Sequence, residues 1–133
     1  MTQHTPRVAL VTGATSGIGL AAARLLAAQG HRVFIGARTA ENVASTVKQL
    51  REEGLDAEGQ TLDVRDAASI TSFVRAAVER YGAIDVLVNN AGRSGGGVTA
   101  EISDELWDDV IDTNLNSVFR MTRAVLSAGG MQG

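Results

Sequence analysis

Eight residues near the start of the chain, Thr12-Gly13-Ala14-Thr15-Ser16-Gly17-Ile18-Gly19, place three glycines and three hydroxyls where a strand gives way to a helix. Gly13 permits a sharp turn off the strand. Gly17 lets the backbone come close to a pyrophosphate. Gly19 lets the helix pack tightly against the sheet, and the free amides of the first turn then face an anion. Thr15 and Ser16 add hydroxyl donors beside Ile18. The spacing is G-x-x-x-G-x-G rather than G-x-G-x-x-G. The pattern implies dinucleotide binding; a glycine-rich turn with no ligand is the structural alternative.

The second signal separates the two common dinucleotides. A reader of NAD holds the ribose 2′-hydroxyl with an acid about 20 residues beyond the glycines. This chain has no Asp or Glu before Glu41, and the second strand ends in Arg38-Thr39. An arginine there suits a 2′-phosphate, through charge-assisted bonds worth about 1.5–3 kcal/mol each. NADPH is therefore the expected cofactor. A solvated surface arginine is the alternative.

Alternating elements must position these residues. Val8–Thr12 reads as a buried strand. A helix follows over Gly17–Gln29, with Ile18, Ala21, Ala22, Leu25 and Leu26 at helical spacing and Gly30 as its stop. A strand at Arg32–Ala37 precedes a helix at Ala40–Glu53, with Val43, Val47 and Leu50 inward. Ala57–Leu62 is a weaker strand, and its Gly59 and polar residues suit a sheet edge. Asp66 caps a helix over Ala67–Tyr81, and Ile84–Asn89 is the most apolar strand. Ser103 caps a long last helix, with Asp104 and Glu105 in its first turn. Its wide apolar stripe runs through Leu106, Trp107, Val110, Ile111, Leu115, Val118, Phe119, Thr122, Val125 and Leu126. The order βαβαβαβα predicts a Rossmann-like, doubly wound parallel α/β sheet with strand order 3-2-1-4. The fourth strand then stands at an open edge although it reads as a central one. That contrast, with the ending AVLSAGGMQG, leads to the expectation of a single domain cut after four strands.

Composition narrows the classes. The chain has 133 residues, 44% of them hydrophobic, a net charge of −3 and no cysteine. The acidic balance argues against a nucleic-acid partner. His4 and His31 are isolated, so no metal site is expected. No apolar run reaches membrane-spanning length and no leader pattern is visible, so a cytoplasmic location is the expectation. The paired acids Glu52-Glu53 and Asp108-Asp109 diverge on their helices and read as solvated faces.

With TGATSGIG, Asp63-Val64, Asn89-Asn90-Ala91-Gly92 and Thr113-Asn114-Leu115 in order, the chain resembles the short-chain dehydrogenase/reductase family. The likeness is strongest to ketoreductases of aromatic polyketide synthases and covers the N-terminal half of the family domain. The resemblance implies that Gly13, Thr15, Ser16, Gly17, Ile18 and Gly19 line the pyrophosphate, and that Arg38 and Thr39 take the 2′-phosphate. It implies further that Asp63 and Val64 border the adenine, and that Asn90, Ala91 and Gly92 follow the ribose and nicotinamide. Asn114 becomes the catalytic member, on a helix whose backbone kinks to hold a water of the proton relay. Ser94, Gly95 and Gly96 form a substrate-side loop that departs from the Pro-Gly-Gly many such ketoreductases carry, which bears on facial selectivity. Structural alternatives stand beside these roles: Asp63 ends a strand, the Asn-Asn-Ala-Gly run is a turn, and Asn114 ties its helix to a strand.

The same resemblance implies a Tyr-x-x-x-Lys pair and a serine for proton transfer to the alkoxide. Lys48 is the only lysine and precedes Tyr81, the only tyrosine, so that pair cannot be written in this sequence. Two readings follow. One is the cofactor half of an NADPH-dependent enzyme reducing a small-molecule or carrier-bound β-ketoacyl or polyketide ketone. The resemblance makes the parent a homo-oligomer, a tetramer, and this chain alone inactive. The other is a non-catalytic NADP(H)-binding or interaction module.

Overall fold

In a computed structural model, residues 5–92 and 101–127 are described. β1 (Val8–Thr12), α1 (Gly17–Ala28), β2 (Arg32–Ala37), α2 (Ala40–Glu52), β3 (Ala57–Thr61), α3 (Ala67–Tyr81) and β4 (Val86–Val88) alternate along the chain. They precede α4 (Asp104–Ile111), a π-helical turn (Asp112–Asn116) and α5 (Ser117–Ser127). The sheet runs β3-β2-β1-β4 and every pair is parallel, as the element order requires.

Successive strand residues point to opposite faces. Val8, Leu10 and Phe34 therefore join one core with Phe73, Val74, Met121 and Val125, beneath α3 and α5. Ala9, Val11, Val33 and Ile35 join the other, with Ala23, Ala27, Val43 and Leu50 of α1 and α2. Both faces of β1 are covered, which explains its unbroken apolar run. β3 is an edge strand, as its polar residues imply. Capping also follows the sequence. The Asp66 carboxylate accepts from the Ala68 amide at 3.0 Å, and Ser103 Oγ accepts from the Leu106 amide at 3.1 Å. β4 is shorter than the expected Ile84–Asn89. Its first turn of chain is spent on an exchange with β1, in which the Val8 amide donates to the Asp85 carboxylate at 2.9 Å.

Two helices present a different face from the expected one. In α1 the buried residues are Gly19, Ala23 and Ala27, whereas Ile18, Ala21 and Leu25 are exposed. Apolar residues cover both sides of this helix, so spacing does not choose between them. The small side bears on the sheet because it lets the helix axis come closest. The expected last helix is interrupted. α4 buries no residue, and the buried positions beyond it are Thr113, Ser117, Met121 and Val125. Trp107, Leu115, Val118, Phe119 and Leu126 of the expected stripe are exposed. The extra residue of the π turn changes the facing of everything after it.

Tyr81 closes α3 with its ring edge-on to Phe34, at 6.4 Å between centroids. Its hydroxyl lies 3.4 Å from the Asp56 carboxylate. Burial first, then the charges of Asp56 and Glu58, pushes the phenol up to about 12. Deprotonation is therefore harder in the folded chain than in the unfolded one, so stability falls as the pH rises from about 10 towards 12. With one tyrosine in the sequence, absorbance at the phenolate band should titrate near 12 in the folded chain and near 10 in denaturant. A folded-state midpoint near 10 would contradict this packing.

Candidate functional site

The carboxyl ends of β1, β2 and β4 meet at the glycine loop. Gly13 has φ +62° and its amide donates to the Gly36 carbonyl at 2.9 Å, so the loop is anchored to the end of β2. Gly17, at φ +57°, starts α1 with open space where a side chain would stand. Its need for glycine is conformational, and the vacant approach suits a ligand. At Gly19 a Cβ would collide with the Gly13 carbonyl and the Asn90 side chain, so this glycine sets the closeness of helix and loop. Ser16 is the N-cap of α1 but its side chain makes no capping bond. The first-turn amides therefore take no bond from this hydroxyl, and Ser16, Gly17 and Ile18 are exposed, which suits an anion.

Thr12 braces the site, and its residue type alone shows only a buried strand end. Its Oγ1 accepts from the Asn90 amide at 3.0 Å and the Ala91 amide at 2.9 Å, and lies 3.5 Å from the Val88 carbonyl. Asn90 returns the tie, donating from Nδ2 to the Gly13 carbonyl at 3.0 Å. The Asn-Asn-Ala-Gly run thus locks the end of β4 onto the glycine loop.

A cleft of about 230 Å³ opens beside this loop. It is lined by Gly13 and Thr15 of the loop, by Gly36, Ala37, Arg38, Thr39 and Asn42 from the end of β2 into α2, and by Leu62, Val64, Ala91, Gly92 and Thr113. Among the described residues no carboxylate lines it. Arg38 and Thr39 are exposed at its mouth, and Thr39, the N-cap of α2, makes no side-chain capping bond. Asn42 and Thr113 are lining residues that the motifs do not reveal: one lies a turn into a helix and the other beside the more conspicuous Asn114.

Asp63 is not among the cleft-lining residues. Arg65 grips its carboxylate through Nε at 3.2 Å and Nη2 at 3.3 Å, and spans to Asp109 of α4 through Nη1 at 2.7 Å. The hydrogen bond from Arg65 holds the Asp63 carboxyl below the usual carboxylate range, against a smaller opposing effect of burial. This link corrects the reading of Asp109 as a solvated acid: its carboxylate ties α4 to the loop after β3.

Asn114 lies on the π turn and is exposed. Its Oδ1 would stand 2.8 Å from a Cβ at Gly92, so Gly92 is bare where the asparagine passes. The turn is pinned by Arg120, which donates to the Asp112 carboxylate at 2.7 Å and holds that acid below its ordinary range. Ile18 is 80% exposed beside the loop. Ser94, Gly95 and Gly96 lie outside the described residues. Among the described residues no cluster could hold a metal, and no helix is long and apolar enough to cross a membrane.

A parallel sheet in the order 3-2-1-4, with a glycine loop and open helix N-terminus at the carboxyl end of its first strand, defines a dinucleotide-binding α/β protein. The family model for short chain dehydrogenases matches residues 7–133, and the chain belongs to that family. It is 80% identical over 132 residues to a Streptomyces virginiae protein named as a ketoacyl reductase of a monensin polyketide synthase, covering 99% of this chain and 51% of that one. To the 3-oxoacyl-[acyl-carrier-protein] reductase FabG of Escherichia coli it is 44% identical, over 92% of this chain and 49% of that one. Among solved structures, the F189W actinorhodin polyketide ketoreductase with NADPH superposes with a TM-score of 0.91 at 61% identity. That match covers 94% of this chain and 48% of the other. The chain thus spans about half the length of the relatives it matches.

Proposed function

We propose that this chain is the NADPH-binding part of a ketoreductase whose substrate is a β-ketoacyl or polyketide ketone, carried on an acyl carrier protein or free. The observation that carries the reading is the cleft beside the glycine loop: Arg38, Thr39 and Asn42 line it, and among the described residues no carboxylate does. The residues fit the cofactor. The open N-terminus of α1, with Thr15 and Ser16, suits the pyrophosphate, and Arg38 with the uncapped Thr39 suits a 2′-phosphate. Val64 supplies an apolar wall for the purine, with Asp63 held at its rim by Arg65. Asn90, Ala91 and Gly92 continue along the ribose and nicotinamide, and Asn114 takes its place beyond Gly92 as the relay residue. When bound, the dihydronicotinamide supplies the hydride that reduces a carbonyl. Relatives named for polyketide and acyl-carrier-protein reduction support the substrate class.

The sequence contains no Tyr-x-x-x-Lys, and Tyr81, which faces Asp56 at the end of α3, is not among the cleft-lining residues, so proton donation is not assigned to it. The 133-residue chain is proposed to bind the cofactor without turning over a ketone. Titration of the chain with NADPH and with NADH, read by nicotinamide fluorescence, tests the reading. A preference of at least about tenfold for NADPH is expected from one charge-assisted bond. Equal affinity, or none for either, would overturn it.

A further inference from the structure

Thr113 is 7% exposed, lies on the π turn and lines the cleft, yet its Oγ1 has no hydrogen-bond partner among the described residues. A threonine within a helix ordinarily turns its hydroxyl back to a carbonyl one turn earlier. One turn later Ser117 does so, donating to the Thr113 carbonyl at 2.5 Å. Thr113 does not, because it sits where the helix widens. A buried hydroxyl without a partner is costly, and such groups are rare in folded chains.

We propose that Thr113 is a cofactor-contact residue, its hydroxyl hydrogen-bonding the adenosine portion of the dinucleotide. This rests on the NADPH reading above. The placement follows from the other walls of the cleft. Thr113 lines the same cleft as Arg38, Thr39 and Asn42, the groups suited to a 2′-phosphate, and as the apolar Leu62 and Val64, suited to a purine, so the adenosine portion is the part of the dinucleotide assigned to it. The π turn thereby serves two purposes, exposing Asn114 and aiming its neighbour into the cleft. The unbound fold carries an unsatisfied group that the ligand then satisfies.

The variants Thr113→Val and Thr113→Ser, with NADPH and adenosine 2′,5′-bisphosphate as probes, test this. Valine keeps the shape and removes the hydroxyl. It should raise the melting temperature of the unliganded chain by a few degrees, while weakening both probes by about 5- to 10-fold. Serine should bind both within about twofold of the parent. Unchanged affinity in the valine variant, with the parent binding NADPH, would overturn the contact and leave the cofactor reading intact. Loss for NADPH but not for the bisphosphate would overturn the adenosine placement. No binding by the parent would overturn the cofactor reading and this inference together.

Discussion

Arg38→Asp lowers NADPH affinity by about 10- to 100-fold and closes most of the gap to NADH, by the loss of one or two charge-assisted bonds at about 1.4 kcal/mol per factor of ten. No hydrogen bond or ion pair ties Arg38 to the described residues; its charge acts on the Asp63 carboxyl only as the smallest of the effects that lower it, after the bonds from Arg65. It stands exposed at the end of β2 beside Thr39, and the nearest shaped space is the cleft. The variant replaces an attractive charge with a repulsive one at the 2′-phosphate. NADH has no phosphate there, and a carboxylate in that place can accept from its 2′-hydroxyl. The loss should therefore fall on NADPH alone. Arg38→Ala separates the two effects, removing the attraction without adding repulsion. Salt provides a further check, because the NADPH advantage should shrink as ionic strength rises. Parallel fluorescence titrations measure all of these. An unchanged cofactor ratio in Arg38→Asp would refute the assignment of this residue to the phosphate.

Thr12→Val has its effect on the fold. Valine matches threonine in shape, so packing at the end of β1 is preserved. What disappears is the oxygen that accepts from both the Asn90 and Ala91 amides. Thr12 is 1% exposed, and those two donors are partly buried. Leaving both without partners costs about 2–4 kcal/mol, a large part of the 5–15 kcal/mol that holds a typical domain. The melting temperature should drop by about 8–16 °C for a chain of this size. Serine retains the oxygen and should recover most of the loss. Thermal unfolding by circular dichroism reads both variants. A valine variant as stable as the parent would show that the brace between β1 and β4 is dispensable. NADPH binding should weaken with it, since the same contacts hold the glycine loop against the end of β4.

Of the motif residues, Gly13, Thr15, Arg38, Thr39, Val64, Ala91 and Gly92 line the cleft, and the signals that pointed to them are local. Gly13 and Gly17 need positive φ, and Ser16 precedes a helix; these are properties of a few neighbouring residues. Strand order likewise followed from the alternation of elements and from the polarity of β3. Helix facing did not. α1 is apolar on both sides, and only the sheet selects Gly19, Ala23 and Ala27 over Ile18 and Leu25. The last helix was harder still. No composition signal announces a π turn at Asp112–Asn116, and after it the buried positions fall on Thr113, Ser117, Met121 and Val125. Of the expected apolar stripe Val125 is buried, whereas Trp107, Leu115, Val118, Phe119 and Leu126 stand outward.

The site divides along the same line. The sequence by itself determined the parallel sheet, the glycine loop and the arginine in place of an acid at the end of β2. Each is written in residue types within a short span, where backbone geometry and charge leave few choices. The tertiary structure decided which other side chains belong to them. It brought Asn42 and Thr113 into the cleft from different helices, joined Asp63 to Asp109 through Arg65, and made Thr12 the brace between two strand ends. Those pairings depend on contacts between residues 44 to 79 positions apart. They follow from how close the helices come to the sheet, a distance set by the packing of the whole rather than by any one segment.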